Sequence, residues 1–125
     1  MCMCVIPMKM EQPRFYRFKI VIDYSEHLTL YHFRKKLKKD TGNSWNVLKH
    51  PPRTVALNNR SYCTVRKAEF FLAFKMEDML KVREQLLLFC MDAWPRFKSL
   101  VRLELIVEEE GSSSHTVYNR NLLAE

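Results

Sequence analysis

The feature that most constrains this chain is the alternation of apolar with other side chains in residues 14–23 and 100–107, together with the short, wholly apolar run of residues 70–74. A period of two places successive side chains on opposite faces of a strand, so each segment predicts a strand with one buried face. The side chains predicted to face inward are Tyr16, Phe18, Ile20 and Ile22, then Phe70, Leu72 and Phe74, then Val101, Leu103, Leu105 and Val107. The sequence therefore predicts a sheet.

Two segments between these strands carry apolar residues at the spacing of an α-helix. The first helix is predicted over 26–40, where Gly42 follows the last turn as a left-handed stop. The second is predicted over 77–94, and Pro95 is expected to end it. The predicted buried stripes are Leu30, Phe33 and Leu37 in the first helix, with Leu28 and Tyr31 on its flank, and Met79, Val82, Leu86, Phe89, Cys90 and Ala93 in the second.

The stretch 45–75 is predicted to form a hairpin. Its first arm, 45–57, contains Pro51–Pro52, and proline cannot donate to a strand ladder, so this arm is expected to lie at an edge or to carry a bulge. Asn58–Asn59 is the predicted turn, because asparagine tolerates a positive φ. The second arm, 61–75, ends in the most apolar strand of the chain.

Together the elements follow the order strand, helix, strand, strand, helix, strand. This order predicts an α+β, ferredoxin-like βαββαβ fold, a four-stranded antiparallel sheet with two helices on one face. The segment 115–125 leaves room for an additional C-terminal strand. At 125 residues the chain fits one domain, which we expect to span 14–125, preceded by a flexible N-terminal extension over 1–13.

Composition indicates where such a chain works. It is 47% hydrophobic, yet no apolar run approaches the roughly 18 residues of a membrane span, and its start lacks the basic residues of a secretion signal. Four cysteines fit a reducing compartment. Cys2 and Cys4 have no second pair at zinc-site spacing, so no metal site is predicted. We expect an intracellular protein, nuclear or cytoplasmic, with no membrane partner.

The charge of +7 is unevenly distributed. Residues 1–66 contain 13 Lys and Arg against 4 Asp and Glu, whereas residues 67–125 contain 8 against 10. The densest run lies on the first predicted helix, where like charges four residues apart repel each other. Such a run can contact phosphate or act as a nuclear-localisation patch, or simply complement the helix dipole. The predicted basic interaction patch comprises Arg34, Lys35, Lys36, Lys38, Lys39, Arg53, Arg60, Arg66 and Lys67.

Catalytic motifs are missing from the sequence. Its two glycines, Gly42 and Gly111, form no phosphate-binding loop, and its four histidines are scattered without a nucleophile beside them. We therefore expect no enzyme, no cofactor and no small-molecule substrate. A base-stacking sheet of the RNA-recognition type is also disfavoured, because Phe71 is the one aromatic predicted on the outer face of the two central strands.

Apolar side chains in excess of one core predict self-association. The open face of the sheet is expected to carry Val21, Phe71, Ala73, Leu100 and Ile106. A face this apolar is usually covered, either by the chain's own tail over 115–123 or by a second copy. The residues predicted to mediate self-association are Phe71, Leu80, Leu87, Trp94, Leu122 and Leu123.

Four features together resemble the small early-region-four regulatory proteins of adenoviruses. They are the basic first helix, the strand 70–74 running into a Leu-rich helix, the sequence 99–104 before an acidic loop with a glycine, and the ending 121–125. The similarity covers roughly 60–125. It implies a ferredoxin-like, non-enzymatic viral regulator that forms homo-oligomers and captures host nuclear proteins.

A rival interpretation uses the same element order. The sequence Pro51–Thr54 is similar to the proline-bearing strand start of ribosomal S10-type proteins. That likeness implies a basic RNA-binding protein that contacts the phosphate backbone. The sequence thus predicts a self-associating, non-enzymatic interaction module, with RNA binding as the alternative.

Overall fold

Six strands and two helices make up the part of the chain that the computed structural model describes, residues 15–109 and 114–124. In chain order they are β1 (Phe15–Tyr24), α1 (Thr29–Thr41), β2 (Asn46–Lys49), β3 (Arg53–Ala56), β4 (Tyr62–Lys75), α2 (Met79–Arg96), β5 (Leu100–Glu109) and β6 (Ser114–Asn121). A 3-10 turn over Met76–Asp78 joins β4 to α2. Neither of these helices has the length and apolar character needed to cross a membrane. The predicted extension 1–13, with Cys2 and Cys4, lies outside the described residues.

All strand pairs are antiparallel, in the order β2-β4-β1-β5-β6, and β3 pairs with the first residues of β4. The α+β class is as predicted, but the four-stranded ferredoxin-like fold is wrong, because the sheet has six strands. The reason lies partly at Pro51–Pro52, which divides the predicted first arm into β2 and β3 on separate stretches of β4. The additional C-terminal strand is present as β6, paired with β5.

The main core contains the buried faces of both helices and one face of the central strands. The predicted inward residues of β1 are confirmed, since Phe18, Ile20 and Ile22 are fully buried and Tyr16 packs against the core. Phe33 of α1 occupies the centre, where its ring lies 5.4–5.6 Å from three other aromatic rings. Those rings belong to Phe70, Phe89 and Phe97. This packing anchors α1 through Phe33 against both β4 and α2.

A second, smaller buried region lies on the opposite face of β1. Val21 is 2% exposed and Asp23 is fully buried, although both alternate with the inward residues of this strand. Arg53 of β3 reaches across to Asp23, with Nη1 3.1 Å from Oδ1. The sheet face that was expected to be an open apolar surface is therefore partly covered by the chain itself.

The C-terminal tail, defined here as residues 122–124, links the end of β6 to β3. Leu122 N–H donates to the Val101 carbonyl at 2.8 Å, and the Leu122 carbonyl accepts from Asn58 N–H at 2.8 Å. Ala124 N–H donates to the Ala56 carbonyl, and Leu57 and Leu123 form a bridge. The tail thus connects β5, through Val101, with β3 and the turn that follows it.

Several local predictions shift by a few residues. The first helix begins at Thr29, and Tyr31, predicted beside the buried stripe, is 61% exposed. Pro95 lies inside the last turn of α2 and does not end it. In the hairpin turn Arg60, and neither asparagine, has the positive φ of 67°. Leu100 belongs to the main core because the register of β1 and β5 shifts at Asp23/Tyr24.

Candidate functional site

The exposed surface of α1 carries the densest positive charge of the described chain. The helix buries Thr29, Phe33 and Leu37, so at about 100° per residue the cations between them point away from the core. Gly42 ends the helix in the left-handed conformation, with its N–H donating to the Lys38 carbonyl. We call the exposed cations Arg34, Lys35, Lys38 and Lys39 the basic face.

Lys36 differs from the basic face although it lies within the same run. Its Nζ is 2.7 Å from Asp40 Oδ2 and 3.3 Å from Asp92 Oδ2 of α2. The hydrogen bond to Asp40 raises the pKa of Lys36, against the opposing effect of desolvation. Lys36 is therefore a link between the two helices.

The four cations of the basic face have no ion-pair partner among residues 15–109 and 114–124. Lys35 with Lys39, and Arg34 with Lys38, are like charges at (i, i+4) and destabilise the helix slightly. An anion from outside the described chain would remove that repulsion.

A cleft of about 420 Å³ lies on one side of the basic face. We call it the Trp45 cleft. Its lining comprises Tyr31, Arg34, Lys35, Leu37, Lys38, Ser44 and Trp45. Trp45 is 7% exposed and donates its Nε1–H to Thr41 Oγ1 at 3.2 Å, so the indole forms a fixed wall.

A cleft of about 400 Å³ lies on the other side and is called the Phe97 cleft. Its lining comprises His32, Lys35, Lys36, Lys39, Arg96 and Phe97. Lys35 lines both clefts. The helix therefore forms a basic ridge between two depressions, a shape that a flexible polyanion can cross.

The remaining residues of the predicted basic patch do not join this ridge. Arg53 pairs with Asp23, and Lys67 Nζ lies 3.8 Å from Glu69 Oε1 on the outer face of the sheet. Arg60 lies in the β3–β4 turn. Arg66 lies opposite Tyr24 in the β1–β4 register, where its charge opposes the rise that burial causes in the pKa of Tyr24.

The outer face of the sheet carries an ion-pair network. Glu69 and Glu108 each lie within 4.0 Å of Lys19 Nζ, and Arg17 pairs with Glu108 at 2.9 Å. The guanidinium of Arg17 also covers Phe71, 4.8 Å from the ring centroid. Phe71 is thus half-buried beneath a cation.

The residues predicted to mediate self-association lie on separate surfaces. Leu80 on α2 is 75% exposed, while Leu87 and Trp94 on the same helix are half-buried. Leu122 and Leu123 belong to the C-terminal tail at the β3 end of the sheet. On α2, two further apolar side chains that were not predicted are exposed as well, Leu88 at 59% and Met91 at 55%.

Sequence reasoning missed several residues of the site, among them the cleft walls Trp45 and Phe97 and the exposed Tyr31. A helical wheel could have predicted the exposure of Tyr31, because at about 100° per residue it lies about 200° around the helix from the buried Phe33. Its ring packs edge-on against His32, with centroids 5.3 Å apart. Tyr31 therefore adds an aromatic surface to the basic face.

Metal-binding and catalytic arrangements are not evident in the described residues. No group of three or more His, Cys, Asp or Glu side chains there is placed to hold a metal ion. The histidine–carboxylate pair His50–Glu69, at 3.2 Å, lies within the ion-pair network of the outer face. Burial raises the pKa of the Cys90 thiol to about 12, which disfavours a reactive thiolate.

Comparison of the chain with protein-family models, curated proteins and solved structures finds no match. The resemblance to the adenovirus early-region-four proteins therefore stays a prediction.

Proposed function

We propose that the protein is a non-enzymatic binding module whose basic face contacts the phosphate backbone of a nucleic acid. The observation that carries this proposal is a set of four exposed cations on one helix, none of which has an ion-pair partner among the described residues. Cations elsewhere in the predicted patch, such as Arg53 and Lys67, already pair with carboxylates. Those of the basic face have no such partner in the described part of the chain.

Phosphate binding has a distinctive physical signature. Each phosphate neutralised by Lys or Arg releases condensed counterions, so affinity falls as salt rises. Four contacts to a single strand correspond to a slope of log K against log salt of about −3. An apolar contact would show no such dependence.

The test compares two charge-reversed variants of equal net charge. Lys35→Glu with Lys38→Glu alters the basic face, whereas Lys75→Glu with Lys81→Glu alters exposed lysines outside both clefts. Fluorescence anisotropy with a labelled oligonucleotide at several salt concentrations measures affinity and slope. We expect the first variant to lose at least about tenfold in affinity and to have a shallower slope. Equal losses in both variants would mean that net charge alone acts, and the proposal would be wrong.

A second candidate function, self-association, is favoured by the exposed stripe of α2. Leu80, Leu88 and Met91 project from the side of the helix away from the core. A second copy fits this stripe in an antiparallel, two-fold arrangement. The acidic turn Glu77–Asp78 before α2 would then lie near the exposed Lys98 after it in the partner.

Self-association is measured as mass against concentration by light scattering. We expect a rise in mass that persists in high salt, because apolar burial is not screened. Leu80→Glu with Met91→Glu should abolish it, whereas Leu48→Glu, on β2 and 49% exposed, should leave it unchanged. A wild-type protein that stays monomeric at the highest concentration reached would exclude this candidate.

We also propose a nuclear location, since a short, dense cationic run can act as a localisation patch. This agrees with the self-associating nuclear regulator that the adenovirus resemblance implies. Microscopy of a fluorescent fusion tests it. An unchanged distribution for Lys35→Glu with Lys38→Glu would contradict it.

A further inference from the structure

We infer that Tyr31 is a stacking platform for an unpaired base, so that the basic face prefers single-stranded nucleic acid over duplex. This inference rests on the proposed function, and it adds the class of nucleic acid. It arises from one arrangement, an exposed aromatic ring next to cations that have no ion-pair partner among the described residues, on a helix anchored in the core.

Tyr31 is available for such a contact. It is 61% exposed, and its contact with the His32 ring is edge-on, at an interplanar angle of 74°. Its backbone is held in α1, which is anchored in the core through Phe33. A tyrosine side chain has two χ angles, so little conformational entropy is lost when a base covers it.

The neighbours of Tyr31 place phosphate contacts within reach of the same nucleotide. Arg34 and Lys35 follow it by three and four residues, which makes them adjacent on the helix surface. Tyr31, Arg34 and Lys35 all line the Trp45 cleft, together with Lys38. A base on the ring and its phosphate on these cations would occupy one continuous surface.

The tryptophan and phenylalanine rings that line the two clefts, Trp45 and Phe97, are less exposed than Tyr31. Trp45 is almost fully buried, with its indole N–H bonded to Thr41. Phe97 is half-buried, and its ring centroid lies 5.6 Å from that of the core residue Phe33. The stacking surface is thus on a helix, although the RNA-recognition pattern sought in the sequence would place it on the sheet.

Duplex and single strand differ in what they offer to Tyr31. Both present phosphates, but a duplex keeps the faces of its bases stacked inside. The ring therefore adds affinity for a single strand, and the cations serve both forms. Loss of one stacked base corresponds to roughly a 5- to 150-fold loss in affinity.

The test measures Tyr31→Ala on three ligands with the same number of phosphates per strand: a short single strand, its duplex, and an abasic single strand. We expect Tyr31→Ala to weaken binding to the single strand by roughly 5- to 150-fold with an unchanged salt slope. Binding to the duplex and to the abasic strand should not change. Tyr31→Phe should retain the affinity, because the ring is kept.

Leu28→Ala is the matched control, since Leu28 is 63% exposed and lies three residues before Tyr31. Equal melting temperatures of the variants would exclude a loss of folding. If wild-type binding is salt-dependent but Tyr31→Ala acts equally on all three ligands, or on none, the stacking inference is wrong and the proposed function stands. If the wild type binds no ligand in a salt-dependent way, both are wrong.

Discussion

Asp23 is a fully buried carboxylate whose partners reach solvent. Arg53 Nη1 lies 3.1 Å from Oδ1 and Arg102 Nη1 3.5 Å from Oδ2, and neither oxygen has a partner with hydrogen-bond geometry in the described part of the chain. The side chains of Arg53 and Arg102 are 41% and 25% exposed, and Arg102 also pairs with Glu104. The buried carboxylate thus has no access to water if the arginines are removed, whereas the partly exposed arginines remain solvated if the carboxylate is removed.

This asymmetry predicts unequal costs of substitution. Asp23→Asn leaves two cations that water can solvate, so we expect unfolding free energy to fall by about 1–2 kcal/mol. Arg53→Met with Arg102→Met leaves a buried charge without a partner, and we expect a loss of about 3–5 kcal/mol. Urea denaturation of the variants measures both. A greater loss of unfolding free energy for Asp23→Asn than for Arg53→Met with Arg102→Met would show that the carboxylate stabilises the fold in some other way.

Glu69 predicts a pH dependence of stability. Burial by itself would raise the pKa of Glu69, but the hydrogen bond with His50 and the charges of Lys67 and Lys19 outweigh it and hold that pKa below the ordinary value of 4.5. A carboxyl group with a lowered folded-state pKa contributes stability above its unfolded-state pKa, and this is lost as pH falls through the folded-state pKa.

We therefore expect Glu69→Gln to reduce the unfolding free energy at neutral pH and to flatten its decline below about pH 4.5. Denaturation at a series of pH values measures this slope. Glu84→Gln, at an exposed position of α2, controls for the loss of one negative charge. A variant with the same acid slope as the wild type would contradict the expectation.

At the scale of elements, the C-terminal tail determines how β3 is held. β3 pairs with β4 along one edge, and the tail provides backbone hydrogen bonds to the Ala56 carbonyl and Asn58 N–H. A two-stranded hairpin is only marginally stable in isolation. The tail therefore stabilises the segment from which Arg53 reaches Asp23.

We expect a chain that ends at Asn121 to lose hydrogen-exchange protection at Asn58 and about 1–3 kcal/mol of unfolding free energy, because three backbone hydrogen bonds are removed. A chain that ends at Leu123 keeps the bond from Asn58 N–H to the Leu122 carbonyl at 2.8 Å. It should keep protection at that amide. Equal protection in the two truncated chains, measured by exchange with mass spectrometry, would rule out this role.

At the scale of the whole molecule, charge is arranged differently on the two sides of the sheet. On the outer face the cations Lys19 and Lys67 are neutralised by carboxylates such as Glu69. On the helical side the basic face of α1 lacks such partners in the described residues. Four of the chain's 21 Lys and Arg residues thus lie together, without such partners in the described residues, where the proposed ligand binds.

A polyanion should consequently stabilise the folded protein. Saturation with a single-stranded oligonucleotide at 100 times its Kd is expected to add about 2.7 kcal/mol of stability, because the ligand binds the native state. Thermal melting with and without the oligonucleotide measures this. The variant Lys35→Glu with Lys38→Glu should show a much smaller increase than Lys75→Glu with Lys81→Glu, and equal increases would contradict a specific site.

The sequence by itself determined the local features of this protein. Alternation placed Phe18, Ile20 and Ile22 inside, and helical spacing around Leu37 placed the basic face outside, because both periods are properties of a single segment. Only the tertiary structure decided that β2 and β3 are separate strands, and that Arg53 pairs with Asp23 instead of facing a ligand. Such contacts join residues distant in the chain, and no local period records which strands become neighbours.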